Sequence, residues 1–170
     1  HKINLIDTPG YADFRGEVIS GLRVAESAVI VISAAAGIET GTIQMWNLAS
    51  SHNIPRSIYV SKMDRENVDF ESLLTSIKST FGRQCIPLQV PINGDVFSGS
   101  VNLLESVGNS KVDQDQAELM REELIELVAE TDDGLATKYL EGENLTDEEL
   151  LSGLKNGIKT GEIIPVFMGS

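Results

Sequence analysis

Three short runs carry residue types that can do chemistry. Asp7-Thr8-Pro9-Gly10 follows the apolar residues Ile3, Leu5 and Ile6. Ser61-Lys62-Met63-Asp64 follows the run 56–60, and Gly169-Ser170 follows Val166-Phe167-Met168. An aspartate where a parallel strand ends can hold a hydrated Mg²⁺, a hard cation that keeps its waters. A glycine three residues on lets a backbone N–H approach a terminal phosphate. The same four residue types also build an ordinary turn. The Asp64 carboxylate can accept two parallel hydrogen bonds from adjacent N–H donors, such as the N1/N2 edge of guanine. The Lys62 stem can lie along a purine face. Read alone, that run is equally a solvated charged loop. Gly169-Ser170 by itself says almost nothing. Taken in order, the three give a phosphate and Mg²⁺ motif, a purine-reading motif and a small-residue loop, which is the logic of a guanine-nucleotide site.

The elements that must position these runs alternate. Residues 3–6 read as a strand and 14–26 as a helix capped by Asp13, with Phe14, Val18 and Leu22 on its buried side. Gly16 and Gly21 make that helix intrinsically loose. Residues 27–33 are rich in β-branched side chains and predict a strand buried on both faces. Further helices are predicted over 40–51 and 69–81, the second stopped by Gly82, with a strand over 56–60 between them. Strand and helix in turn make a parallel, doubly wound α/β sheet the natural solution. After Pro87 the pattern changes. Asn93-Gly94 signals a hairpin, helices are predicted over 114–131 and 135–140, and Thr146 with Glu149 forms a capping box opening another helix before a last strand.

Charge divides the chain in the same way. Thirteen basic residues face twenty-six acidic ones, a net charge of −13 over 170 residues. Fourteen of the acids and only two of the bases lie in 113–149, so a nearly neutral body carries an acidic helical segment. That balance argues against a stand-alone nucleic-acid binder, which needs a basic footprint. The acids read as a solvated helical face, the usual meaning of such a run. The single cysteine, Cys85, excludes an internal disulfide and fits a reducing compartment. No apolar stretch approaches the roughly 20 residues that span a bilayer, and no signal-peptide pattern opens the chain. Cys85 reads as a buried small residue, Trp46 as helix packing and His52 as a surface or helix-capping residue.

The runs HKINLIDTPG, YADF and SGLRVAESAVIVISAAAGIETGT resemble the translational GTPases, elongation factor G most closely. SKMD resembles their guanine-specificity motif. IPLQVPIN with FSGSVNLLE, and AETDDGLATKYLEGENLTDEEL with IIPVFMGS, resemble the borders of their inserted subdomain and the last strand. The resemblance covers essentially the whole chain. It implies a P-loop GTPase-type, mostly parallel sheet that lacks its first strand, its glycine-rich phosphate loop and its first switch. The expected division is a GTPase core over 1–91, an inserted, helical and acidic subdomain over 92–161, and the last core strand with the start of the guanine loop over 162–170. Because the missing strand would lie between residues 3–6 and 28–33, the expectation is disorder of residues 1 to about 26, a rearranged pairing of the two strands, or a partner chain filling the slot.

The resemblance also assigns roles. Asp7 would support Mg²⁺ through water, with Thr8 and Pro9 beside it, and the Gly10 N–H would sense the γ-phosphate. Tyr11 stands where the family has a water-positioning histidine; its hydroxyl can orient water but does not titrate near neutral pH. Ser61 stands where the family has asparagine and supplies fewer hydrogen bonds. Lys62 and Asp64 would read guanine, with Gly169 and Ser170 lining the base. The parent would be a GTP- and GDP-binding, Mg²⁺-dependent, cytoplasmic GTPase acting on the ribosome in translocation or a related step. It would meet stalk proteins through 113–149 and ribosomal RNA through domains outside this chain, with no membrane partner. The alternatives are a ribosomal protection or release-factor-type GTPase, or an acidic protein-binding module with a vestigial nucleotide site. The 170 residues alone are expected to be inactive, because the phosphate loop supplies several of the hydrogen bonds that hold the nucleotide.

Overall fold

The computed structural model describes residues 2–10, 15–92, 97–105 and 112–170. Helix α1 spans Arg15–Leu22 and strand β1 spans Ala28–Ser33. They are followed by α2 (Thr40–Ser51), β2 (Arg56–Ser61), α3 (Phe70–Phe81) and β3 (Cys85–Pro87). β4 (Gln89–Pro91) and β5 (Ser100–Asn102) come next. Helices α4 (Gln114–Ala129), α5 (Asp133–Leu140) and α6 (Asp147–Thr160) lead to β6 (Ile164–Met168). The main sheet has the order β1-β2-β6-β3, and every pairing in it is parallel. This is the α/β architecture that the alternation predicts. β4 and β5 form a separate antiparallel pair. Asn93-Gly94, expected at its turn, lies outside the described residues.

The helix ends follow their local chemistry. Asp69 caps α3 by accepting the Ser72 N–H at 3.1 Å, and Gly82 ends it with φ 111°, a backbone conformation that favours glycine. Thr146 and Glu149 form the reciprocal capping box of α6, and Gly161 closes that helix in the left-handed region. α1 is shorter than the 14–26 expected: Val24 and Ala25 both donate to the Gly21 carbonyl, tightening the last turn into the loop before β1. Asp13 and Phe14 lie outside the described residues.

Two expectations are corrected. Residues 3–6 form no strand: residues 2–10 pair with no strand of either sheet, and Leu5 is 91% exposed. A strand persists only where its backbone groups find a neighbour, and none is in register with this segment. The re-pairing expected for it is not what is seen: the segment runs unpaired. β1 is likewise not buried on both faces. Ile30 and Ile32 enter the core, whereas Val29 and Val31 are 59% and 61% exposed, because β1 is the edge of the sheet and no described element covers that face.

One large core holds the rest. Ile58, Val60, Ile77, Ile86 and Val166 from the sheet and α3 bury in the same cluster as Leu124 and Val128 of α4 and Leu150 and Leu154 of α6. The segment after residue 92 therefore packs directly on the sheet. Lys78 of α3 pairs with Glu123 of α4 at 2.5 Å, and Arg83 makes a two-pronged pair with Glu130. A smaller cluster of Val18, Leu22, Leu48 and Ala49 joins α1 to α2.

Candidate functional site

In an open parallel sheet the loops at the carboxyl ends of the strands are free to meet a ligand. β1, β2 and β6 run in register, so Ser33, Ser61 and Met168 end at one edge. The loop after β1 turns back on Ser33, whose carbonyl accepts the Ala36 and Gly37 N–H groups, and leads into α2. The N-terminus of α2 therefore also faces that edge. Asp7–Gly10 lies against it: a Cβ on Gly41 would sit 3.8 Å from the Gly10 carbonyl oxygen. Residues 6–10 line an open cleft of about 870 Å³ together with α1, β1 and residues 39–42 at the start of α2. The chain thus brings Asp7, Thr8, Pro9 and Gly10 to the expected edge of the sheet without the strand expected to carry them. Tyr11 lies outside the described residues.

The second motif is built more tightly. Ser61 is held from both sides: its hydroxyl donates to the Ile32 carbonyl at 3.3 Å, and its carbonyl accepts the Ala34 N–H at 2.8 Å. Lys62 then adopts φ 60°, a left-handed conformation that costs a non-glycine residue of order 1 kcal/mol. The turn buries Met63 and leaves the Lys62 and Asp64 side chains exposed on either side of it. The Met63 N–H donates to the Gly169 carbonyl at 3.1 Å, and the Gly169 N–H donates to the Val60 carbonyl at 2.9 Å. These bonds extend the β2–β6 ladder past its last strand residues and tie Ser61-Lys62-Met63-Asp64 to Gly169-Ser170. The two motifs, more than a hundred residues apart in sequence, form one continuous rim.

Several residues that shape this edge escape a reading of single motifs. Gln89 extends its side chain from β4 to accept the Met168 N–H at 3.2 Å, at the point where β3 has left the ladder. Trp46 stacks on Phe81 at 4.2 Å between ring centroids, and the Arg56 guanidinium lies 4.6 Å from its ring centre. Trp46 is thus a packing residue, as expected. Burial lowers the pKa of Arg56, the adjacent Cys85 opposing that shift. Cys85 is fully buried, and desolvation pushes its thiol up to about 12, so it is inert as a nucleophile near neutral pH. His52 occupies the C-cap position of α2 and donates from Nδ1 to the Leu48 carbonyl at 2.9 Å. Gly153 and Gly157 of α6 let Val128 and Ile163 approach the helix backbone to within the volume of a methyl group. Their spacing of four residues was the available signal.

No group of three or more histidine, cysteine, aspartate or glutamate side chains that could hold a metal is present among the described residues. Asp7 therefore fits only a cation that keeps most of its waters and takes other oxygens from a ligand, as Mg²⁺ does with phosphates.

A parallel sheet whose chemistry-bearing loops gather at its carboxyl edge, two of them laced together beside a strained lysine, defines the class of nucleotide-binding α/β domains. The model of the family described as the elongation factor Tu GTP binding domain matches residues 1–170, and the chain belongs to that family. It is 39% identical over 178 aligned residues to the elongation factor G-like protein of Thermotoga maritima, covering 99% of this chain and 26% of the relative. A crystal structure of a Thermus thermophilus protein superposes with a TM-score of 0.86 at 32% identity, over 96% of this chain and 26% of that one. The chain thus spans about a quarter of the length of each protein it matches. The fold and family together make it a GTP-binding domain of the translational GTPase type. No helix among the described residues is long and apolar enough to cross a membrane.

Proposed function

We propose that this chain is the guanine-reading part of a GTPase that acts on the ribosome, of the elongation factor G-like kind. The supporting observation is the lacing of Met63 to Gly169 and of Gly169 to Val60, which joins the two motifs at the residue before Asp64. In this reading Asp64 accepts two hydrogen bonds from the guanine N1/N2 edge. The Lys62 stem covers the base, and Ser61, Gly169 and Ser170 line it. Asp7 holds a hydrated Mg²⁺, with Thr8 and Pro9 beside it, and the Gly10 N–H senses the γ-phosphate. Tyr11 orients the attacking water. When bound, Mg²⁺ screens the phosphate charge that develops during hydrolysis. Residues outside this chain supply the remaining phosphate contacts, and the acidic segment 113–149 docks basic stalk proteins of the ribosome in the cytoplasm.

A nucleotide titration of the full-length gene product tests the base-reading assignment. Asp64→Asn replaces an acceptor by a donor opposite the 2-position of the base, where guanine carries an amino group and xanthine a carbonyl. Losing one charge-assisted bond and facing donor to donor weakens GDP binding by about a hundredfold. The same change strengthens xanthosine diphosphate binding. An Asp64→Asn protein with unchanged GDP affinity removes Asp64 from base recognition.

A further inference from the structure

One contact at the rim has no counterpart in the motifs. Tyr59 of β2 stands opposite Phe167 of β6 in the parallel register, and Gly169 lies two residues further along the same face. The side chain of Tyr59 is long enough to reach along the face to that position. Tyr59 takes up the reach in full. A Cβ built on Gly169 would overlap the Tyr59 hydroxyl oxygen and stand 3.0 Å from the ring carbon that carries it. A side chain at Gly169 would therefore require Tyr59 or the Gly169 loop to shift, while its backbone lies outside the left-handed region that would itself require glycine. The same Gly169 gives its N–H to Val60 and its carbonyl to Met63, one residue before Asp64. Any displacement of Gly169 is transmitted through that bond to the turn carrying Lys62 and Asp64.

We propose that Tyr59 is a positioning residue for base recognition: its ring seats the Gly169 backbone, its hydroxyl occupies the space a side chain there would need, and through the Met63–Gly169 bond the seat sets where Asp64 stands. On the opposite side of β6, Gln89 holds the Met168 N–H, so the segment is gripped from two neighbouring strands. Tyr59 touches no reacting atom in this assignment. It acts by fixing the distance between two loops that must contact one base together. The inference rests on the guanine reading above.

A cycle of Tyr59→Phe, Gly169→Ala and the double variant tests it in the full-length gene product. GDP affinity is measured for each, alongside the thermal midpoint. Tyr59→Phe alone binds GDP within about threefold of wild type, since the ring remains and the seat is only loosened at its tip. Gly169→Ala collides with the Tyr59 hydroxyl, shifts the rim and weakens GDP by about tenfold or more, the worth of one misplaced charge-assisted bond. The double variant removes the colliding oxygen and leaves only the ring carbon at 3.0 Å, a close contact that a small tilt of the ring relieves. Its GDP affinity therefore returns to within about threefold of wild type. A purely structural role for Tyr59 would move the thermal midpoint without this rescue of affinity. Gly169→Ala binding GDP like wild type, or the double variant binding as weakly as Gly169→Ala, overturns the proposal. If Gly169→Ala does not fold, the double variant decides alone: near-wild-type affinity supports the seat, and tenfold-weakened binding overturns it. A wild-type protein that binds GDP while the cycle shows no rescue refutes only the role of Tyr59. A wild-type protein that fails to bind GDP refutes the guanine reading itself.

Discussion

Leu124 offers a direct measure of how firmly the acidic helical segment belongs to the sheet. It is fully buried on α4, in the same apolar cluster as Ile58, Val60 and Ile86 of the sheet and Leu150 of α6. Leu124→Ala removes the branched end of that side chain and leaves a cavity between helix and sheet. The cost is about 2–5 kcal/mol, depending on how far the site collapses. A domain of this size has a total stability of only about 5–15 kcal/mol, so the loss is a large fraction of it. With a urea dependence of about 2 kcal/mol per molar, the unfolding midpoint falls by about 1–2.5 M. Trp46, the single tryptophan, supplies a second probe, stacked on Phe81 between α2 and α3. Helix content, by circular dichroism, reports on α1 to α6 together. If the core is a single cooperative unit, the two signals lose their midpoints together and by the same amount in Leu124→Ala. A circular-dichroism transition that moves while the Trp46 transition stays in place would refute this and make residues 92–161 a separately folding subdomain.

Three further outcomes can be measured. Tyr11→Phe in the full-length gene product should lower the ribosome-stimulated rate of GTP hydrolysis, and the wild-type pH–rate profile should show no histidine-like transition; an unchanged rate removes the hydroxyl from the mechanism. Glu149 is held down to about 2 by the Lys138 ammonium, which donates to its oxygens at 2.9 and 2.8 Å, and then by the Thr146 N–H and hydroxyl. Its folded pKa lies below the ordinary value of 4.5, so its contribution to stability is present above that pH and is lost as pH falls towards 2. Glu149→Gln should therefore lower the thermal midpoint at neutral pH, and the gap between the two proteins should close between about pH 5 and pH 2; a gap independent of pH would show that charge is not its source. Reversing Glu118, Glu122 and Glu126 to lysine should slow association with a basic stalk protein, and added salt should weaken the wild type more than the variant, whereas equal salt sensitivity would leave these acids as a solvated face. Glu123 is left out of that reversal because it is committed to Lys78 across the α3–α4 contact, and a lysine there would set two like charges against each other.

The local signals in the sequence sufficed wherever the physics is local. Asp69, Gly82, Thr146 and Glu149 act on their own turns, so the ends of α3 and α6 are legible from residue type and spacing alone. The β-branched runs gave β1, β2 and β6, and their alternation with helices gave a parallel sheet, because crossover connections leave few other arrangements. Membership of the GTP-binding domain family was legible for a related reason: the motifs are short and sit where strands end. Tertiary structure decided what depends on a neighbour. Residues 3–6 have the composition of a strand, but a strand needs a partner in register, and this segment runs exposed beside a cleft. Val29 and Val31 have the composition of a two-sided core, but β1 is an edge and their face stays open. The union of residues 61–64 with Gly169-Ser170 depends on β2 and β6 lying side by side, although the whole acidic segment separates them in the chain. No spacing rule reaches across that distance, and nothing in the sequence around Tyr59 shows that its hydroxyl fills the space a side chain at Gly169 would need.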